Sequence, residues 1–131
     1  MKGIAIGFSY TSKEILKRLK KTEFINEIFI GSSSQKEKKI KDSVEFLKPR
    51  QILREKWEKL DLIIFIGSIG ASIRLISPLL SSKDKDPGVI VIDKKGSKIV
   101  PISGAHQSNI QNIAFQICNL FDGEILSLIH I

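Results

Sequence analysis

The run Leu62-Ile63-Ile64-Phe65-Ile66 constrains this chain most, because it is apolar at every position and then stops at Gly67-Ser68-Ile69-Gly70. A strand with one face in water alternates apolar and polar residues. A strand with no polar position has both faces covered, as in the middle of a parallel sheet sandwiched between helices. The small residues behind it suit a tight passage into a helix, which the spacing predicts from Ala71 to about Leu80.

The same alternation runs through the rest of the chain. Lys2–Phe8 is an apolar run ending in Ser9-Tyr10-Thr11-Ser12, and Thr11-x-x-Glu14 has capping-box spacing before a helical stripe of Ile15, Leu16 and Leu19. Ile25–Ile30 is a second strand, stopped by Gly31 and three serines. Gln35–Lys48 is charged and weakly patterned, and reads as loop with room for a short helix. Pro49 interrupts it, and Gln51–Leu60 reads as helical. Asp86-Pro87-Gly88 resets the chain for a strand over Val89–Asp93. Asp93-Lys94-Lys95-Gly96 is a tight turn, from which Lys98–Ile102 returns antiparallel. After Ser103-Gly104-Ala105-His106, a helix from about Ser108 to Leu120 is capped by Ser108-x-x-Gln111 and buries Ile110, Ile113, Ala114 and Ile117. Asp122-Gly123 ends it, and Glu124–Ile131 reads as a last strand. Alternating strands and helices with one hairpin predict an α/β fold: a three-layer, mostly parallel, Rossmann-like sheet with one antiparallel hairpin. No repeat or linker divides the chain, so residues 1–131 form one domain.

Composition narrows the function classes. No apolar stretch approaches the ~18–20 residues of a membrane span, and Met1–Ile6 reads as a first strand rather than a signal peptide. A single cysteine, Cys118, excludes an internal disulfide and a cysteine-rich zinc site, which makes a reducing cytoplasm the expected location. The net charge of +7 is lopsided. Residues 1–60 hold 15 Lys/Arg against 8 Asp/Glu, and residues 61–131 hold 6 of each. The basic half, dense between Lys36 and Lys59, suits nucleic acid, an acidic membrane or a polyanionic small molecule, or is simply a solvated lysine-rich surface.

Ligands of open α/β sheets bind beyond the carboxyl ends of the strands. Two segments are candidates. In Gly67-Ser68-Ile69-Gly70-Ala71-Ser72, small residues let backbone amides approach an anionic oxygen at a helix start, and Arg74 one turn on can grip a carboxylate with two N–H groups. The alternative is a plain strand-to-helix turn with Arg74 on the surface. In Ser103-Gly104-Ala105-His106-Gln107-Ser108-Asn109, His106 is the better placed of two histidines for acid–base work; the alternative is an exposed loop histidine or a cap. His130 reads as structural, Trp57 and Tyr10 as packing residues, and Asp84, Asp86 and Asp93 as turn residues. No metal-ligand spacing and no nucleophile elbow is present, so no protein-bound catalytic metal is expected.

At these segments the chain resembles the N-terminal domain of the CbiG family, the cobalt-precorrin-5A hydrolases of anaerobic cobalamin biosynthesis. The resemblance runs over Leu62–Gly123. It rests on the small-residue loop with Gly70, on Arg74, on Pro78-Leu79-Leu80, on Lys83 through Asp86-Pro87, on Val89–Asp93 with Gly96, and on His106 before the last helix. Family members have Ser-Gly-His followed by two glycines, whereas here Gly104-Ala105 precede the histidine and Gln107-Ser108-Asn109 follow it. They also continue into further domains.

The resemblance implies a role in building the corrin ring: hydrolytic opening of the δ-lactone of cobalt-precorrin-5A with release of acetaldehyde. On that basis Gly67, Ser68, Gly70, Arg74, Ser103 and Gly104 bind the anionic tetrapyrrole and His106 activates water or moves the proton. No cofactor is implied, since the cobalt arrives inside the substrate. A downstream CbiG-like domain or another corrin-pathway enzyme is the implied partner. The rival readings are a tetrapyrrole-binding domain without catalysis, which the altered histidine loop favours, and a nucleic-acid-binding domain. The second ranks last because no aromatic platform accompanies the lysines.

Overall fold

The computed structural model describes residues 1–31, 39–41, 44–82, 85–104 and 108–126. Along the chain come β1 (Gly3–Gly7), α1 (Lys13–Lys20), β2 (Glu27–Gly31), β3 (Lys39–Lys41), β4 (Val44–Leu47) and α2 (Pro49–Lys56). Then follow β5 (Leu62–Ile66), α3 (Ile69–Ile76), β6 (Gly88–Ile92), β7 (Lys98–Ser103), α4 (Ser108–Phe121) and β8 (Glu124–Ile125). The strands form one sheet in the order β3-β4-β2-β1-β5-β6-β7-β8.

The apolar runs take the central places. β1, β5 and β6 are buried at every residue, and β1 pairs with β5 from Gly3–Leu62 to Gly7–Ile66. Each strand sends alternate side chains to opposite faces. Leu62, Ile64 and Ile66 meet Leu16 and Leu19 of α1 and Ile110, Ile113 and Ile117 of α4 on one face. Ile63 and Phe65 meet Ile52 and Leu53 of α2 and Ile76 of α3 on the other. This layering follows from the constant right hand of crossovers. The step from β1 to β2 goes one way across the sheet and those from β4 to β5 and β5 to β6 go the other, so α1 lies opposite α2 and α3. β7 is reversed, so a further step the same way, to β8, puts α4 back on the α1 face.

The expected hairpin is present: β6 and β7 are antiparallel, with Gly96 at φ 73° in the turn. A register irregularity between Val89 and Ile90 stands opposite the stretch holding Pro101, which has no N–H to give to a ladder. Two expectations are corrected. The charged segment before Pro49 contains strands, because Val44, Phe46 and Leu47 extend the sheet beside β2, with β3 antiparallel to β4. The Thr11–Glu14 capping box does not form. A 3-10 turn over Tyr10–Ser12 comes first, the Ser9 and Thr11 hydroxyls bond to each other at 2.6 Å, and Ser12 Oγ donates to the Ser9 carbonyl. As expected, α4 ends at Asp122-Gly123, with Asp122 in the left-handed region at φ 53°. The Ser108 cap and the far end of the last expected strand, 127–131, lie outside the described side chains and residues.

Asp93 and Asp86 are structural, as their places in turns suggest. The Asp93 carboxylate accepts bonds from Ser97 N and Oγ, both 2.7 Å, and from Lys98 N at 3.0 Å, which closes the β6–β7 turn. Asp86 accepts from Ser81 N and Oγ and from Trp57 Nε1 at the start of β6. Burial pushes both carboxyls up, but the donated hydrogen bonds together outweigh it and hold them below the ordinary aspartate value. A depressed folded pKa means that the contribution is complete above the unfolded pKa, about 4, and is lost as pH falls through the folded value. Asp93→Ala should therefore destabilise the protein fully at pH 7, and the gap from wild type in urea melts should narrow below pH 4. A gap that stays constant from pH 7 to pH 2 would refute this role for the charge.

Candidate functional site

A cavity of about 470 Å³ opens at the carboxyl ends of β1, β2, β4 and β5, on the face covered by α2 and α3. It lies beside the place where connections from neighbouring strands β1 and β5 leave for opposite faces, the usual ligand position in such sheets. Phe8, just past β1, supplies its aromatic wall. Pro49 and Leu75 add aliphatic surface, Gly31 and Ala71 are small, and Lys48, Arg50 and Arg74 supply charge.

Local packing fixes these positions. The Phe8 ring stacks on Phe65 with centroids 5.5 Å apart and planes 13° from parallel, and its amide donates to the Ile66 carbonyl at 3.1 Å. Gly67 makes room for it: a Cβ there would come within 2.4 Å of Phe8 Cδ2, and Gly67 also has φ 147°. Across the cavity, a Cβ on Gly31 would stand 2.5 Å from Pro49 Cγ, so this glycine lets the start of α2 sit against the end of β2. Pro49 at the first helical position needs no amide partner, and Lys48 is the extended residue before it.

The predicted residues fall into two groups. Gly67, Ser68, Gly70 and Arg74 gather at the cavity edge of the sheet, with Arg74 in the cavity wall and exposed. Ser68 turns out to be the cap of α3: its Oγ accepts from Ala71 N at 3.1 Å, and buried Ser72 Oγ donates to the Ser68 carbonyl at 2.9 Å. The amides of Ile69 and Gly70 remain in the first turn without a helical acceptor. Gly70 itself needs no glycine, since a Cβ there would meet nothing within 4 Å.

Ser103 and Gly104 lie elsewhere, which corrects the expectation of one shared edge. β7 runs antiparallel to β6, so its end at Ser103 pairs with Val89 at the start of β6. A Cβ on Gly104, at φ 68°, would lie 3.0 Å from Gly88 Cα. Gly88 in turn pairs with Leu62 at the start of β5, a full strand, roughly 15 Å, from Gly67. His106 lies outside the described residues, between Gly104 and the first residue of α4. The hairpin is the physical reason for the separation: a returning strand delivers the next loop to the opposite edge.

Sequence reasoning missed Phe8, Lys48, Pro49 and Arg50. The signal for the last three was there in Val44–Leu47 followed by Lys-Pro-Arg, a strand running into a helix with proline first. Among the described residues no group of three or more His, Cys, Asp or Glu side chains is arranged to hold a metal ion, and no helix is long and apolar enough to cross a membrane.

Comparison with known proteins fits this architecture. Residues 51–126 match the family model described as Cobalamin synthesis G N-terminal. A cobalt-precorrin-5A hydrolase of Priestia megaterium is 39% identical over 57 residues, which are 44% of this chain and 15% of that protein. One from Salmonella typhimurium is 39% identical over 44 residues, 34% of this chain and 12% of the enzyme. The matched stretches are thus a small part of these curated relatives. The crystal structure of a cobalamin biosynthesis protein G homologue from Sulfolobus solfataricus superposes with a TM-score of 0.69 at 19% identity, covering 95% of this chain and 36% of that one. At that identity the likeness establishes the fold.

The two glycines of the loop should respond in opposite ways. Gly67→Ala is expected to lower stability by about 2 kcal/mol and to displace Phe8, through both the positive φ and the 2.4 Å contact. Gly70→Ala should raise it by about 0.5–1 kcal/mol, the ordinary gain of alanine over glycine in a helix. Thermal melts of the two variants decide the matter, and equal destabilisation would refute this account of the loop.

Proposed function

This chain belongs to the Cobalamin synthesis G N-terminal family, and from that premise we propose that it binds an anionic cobalt tetrapyrrole during corrin-ring construction, as part of the hydrolytic opening of the δ-lactone of cobalt-precorrin-5A with release of acetaldehyde. The observation carrying this reading is Arg74. It stands in the wall of a cavity that lies over the carboxyl ends of β1 and β5 and is lined by cations and apolar groups together. A corrin precursor has a broad apolar ring system with carboxylate arms. Arg74 suits a carboxylate because its guanidinium presents two parallel N–H donors, and the first amides of α3 suit a further anionic oxygen.

Lactone hydrolysis also needs a water made nucleophilic and a proton delivered to the leaving oxygen. His106 is the candidate within this sequence. Ser103 and Gly104, which precede it in the chain, stand on the edge opposite Arg74. That separation favours a division of labour, in which this domain holds the substrate and a downstream CbiG-like domain or another enzyme of the pathway completes the reaction. The same observation favours the second reading, a tetrapyrrole-binding domain that performs no chemistry. Cobalt belongs to the substrate in both.

Anaerobic incubation of the purified chain with cobalt-precorrin-5A, followed by the absorption spectrum and by acetaldehyde assay, tests the proposal. The expected result is a spectral shift that Arg74→Ala weakens about tenfold, with little acetaldehyde from the chain alone. Acetaldehyde released by the isolated chain and lost in His106→Ala would instead make it a self-sufficient hydrolase. No shift and no acetaldehyde would refute the tetrapyrrole reading.

A further inference from the structure

Lys48 and Arg50 were not expected at any site, and they lie outside the segment of the resemblance, yet they share a cavity with Arg74. Three features separate them from ordinary solvated cations. Among the described residues no Asp or Glu lines the cavity. Among the described residues no carboxylate pairs with Lys48, Arg50 or Arg74, although Lys56 at the far end of the same helix α2 is paired with Glu27 at 3.2 Å. The surface between them is apolar, formed by Phe8, Pro49 and Leu75. Like charges gathered beside an apolar wall raise the local positive potential and favour an anion there, the more so at low salt. A simple counter-ion does not use the apolar wall; a flat molecule with acidic arms uses both.

We propose that Lys48 and Arg50 act with Arg74 as a three-cation clamp that selects its ligand by the number of carboxylates arrayed around a flat apolar body. The clamp spans the two halves of the fold. Arg74 sits on α3, after β5, while Lys48 and Arg50 sit at the start of α2, after β4, held there by the Gly31–Pro49 contact. A ligand with a single carboxylate satisfies one cation and leaves the others facing an apolar surface. A ligand with several, spaced around a planar ring, neutralises all three while covering Phe8. This rests on the tetrapyrrole reading for the identity of the ring, and on the cavity alone for the demand for several carboxylates.

The test is titration of the full chain with three probes: a porphyrin bearing eight carboxylates, a porphyrin bearing two, and benzenehexacarboxylate. The porphyrins are followed by absorption and the third by calorimetry. The eight-carboxylate porphyrin should bind at least tenfold more tightly than the two-carboxylate one. Lys48→Gln and Arg50→Gln should each weaken it about three- to tenfold, the range for a partly exposed charge-assisted contact. Lys20→Gln, the same loss of charge on α1 and the opposite face, should leave binding unchanged. Lys48 and Arg50 are both exposed, so unchanged urea melts will exclude misfolding of the variants.

The clamp is overturned if the cavity variants bind like wild type, if Lys20→Gln loses as much as they do, or if no polycarboxylate binds. If only benzenehexacarboxylate binds, and the same two variants lose it, the clamp stands and the tetrapyrrole reading falls.

Discussion

β1 and β5 come from opposite halves of the chain and lie side by side over five residue pairs, from Gly3–Leu62 to Gly7–Ile66, with every residue buried. Ile4, Ile6, Leu62, Ile63, Ile64, Phe65 and Ile66 are each at most 1% exposed. At about 1.5–3 kcal/mol per fully buried large side chain, this seam outweighs any surface ion pair in the protein by a wide margin. It also sets the direction of everything attached to it. The connections after β1 and β5 leave from the same edge toward opposite faces, and the gap between them is where the cavity opens.

The cavity depends on that seam through a short chain of contacts. Phe65 in β5 carries the stacked ring of Phe8, and Gly67 stays small so that Phe8 can lie there. Gly31 lets Pro49 approach, which brings Lys48 and Arg50 toward Arg74. The excess of positive charge in the first half of the chain thus contributes locally, through two named residues, as well as by raising the overall potential. The half with no net charge contributes Arg74, Ala71 and Leu75, so neither half alone lines the cavity.

The β6–β7 hairpin decides what the site leaves out. Its reversal carries Ser103 and Gly104 to the edge opposite Gly67 and Arg74. Two polar, glycine-bearing loops, each following a strand, look equivalent in sequence, but only the loop after a parallel strand reaches the ligand edge.

The sequence by itself determined the α/β class, the fully covered strands, the hairpin turn with Gly96, a helix following Gly67-Ser68-Ile69-Gly70, and Arg74 as an anion-binding candidate. Each of these follows from local chemistry: unbroken apolar runs, small residues at turns, and a guanidinium one turn into a helix. The family resemblance was legible for the same reason, since it lies in one continuous stretch. Only the tertiary structure decided that Val44–Leu47 joins the sheet, that Phe8, Lys48 and Arg50 meet Arg74, and that Ser103 and Gly104 face the other way. Those facts depend on strand order and polarity, which residues far apart in the chain set jointly through burial and pairing, and which no local spacing encodes.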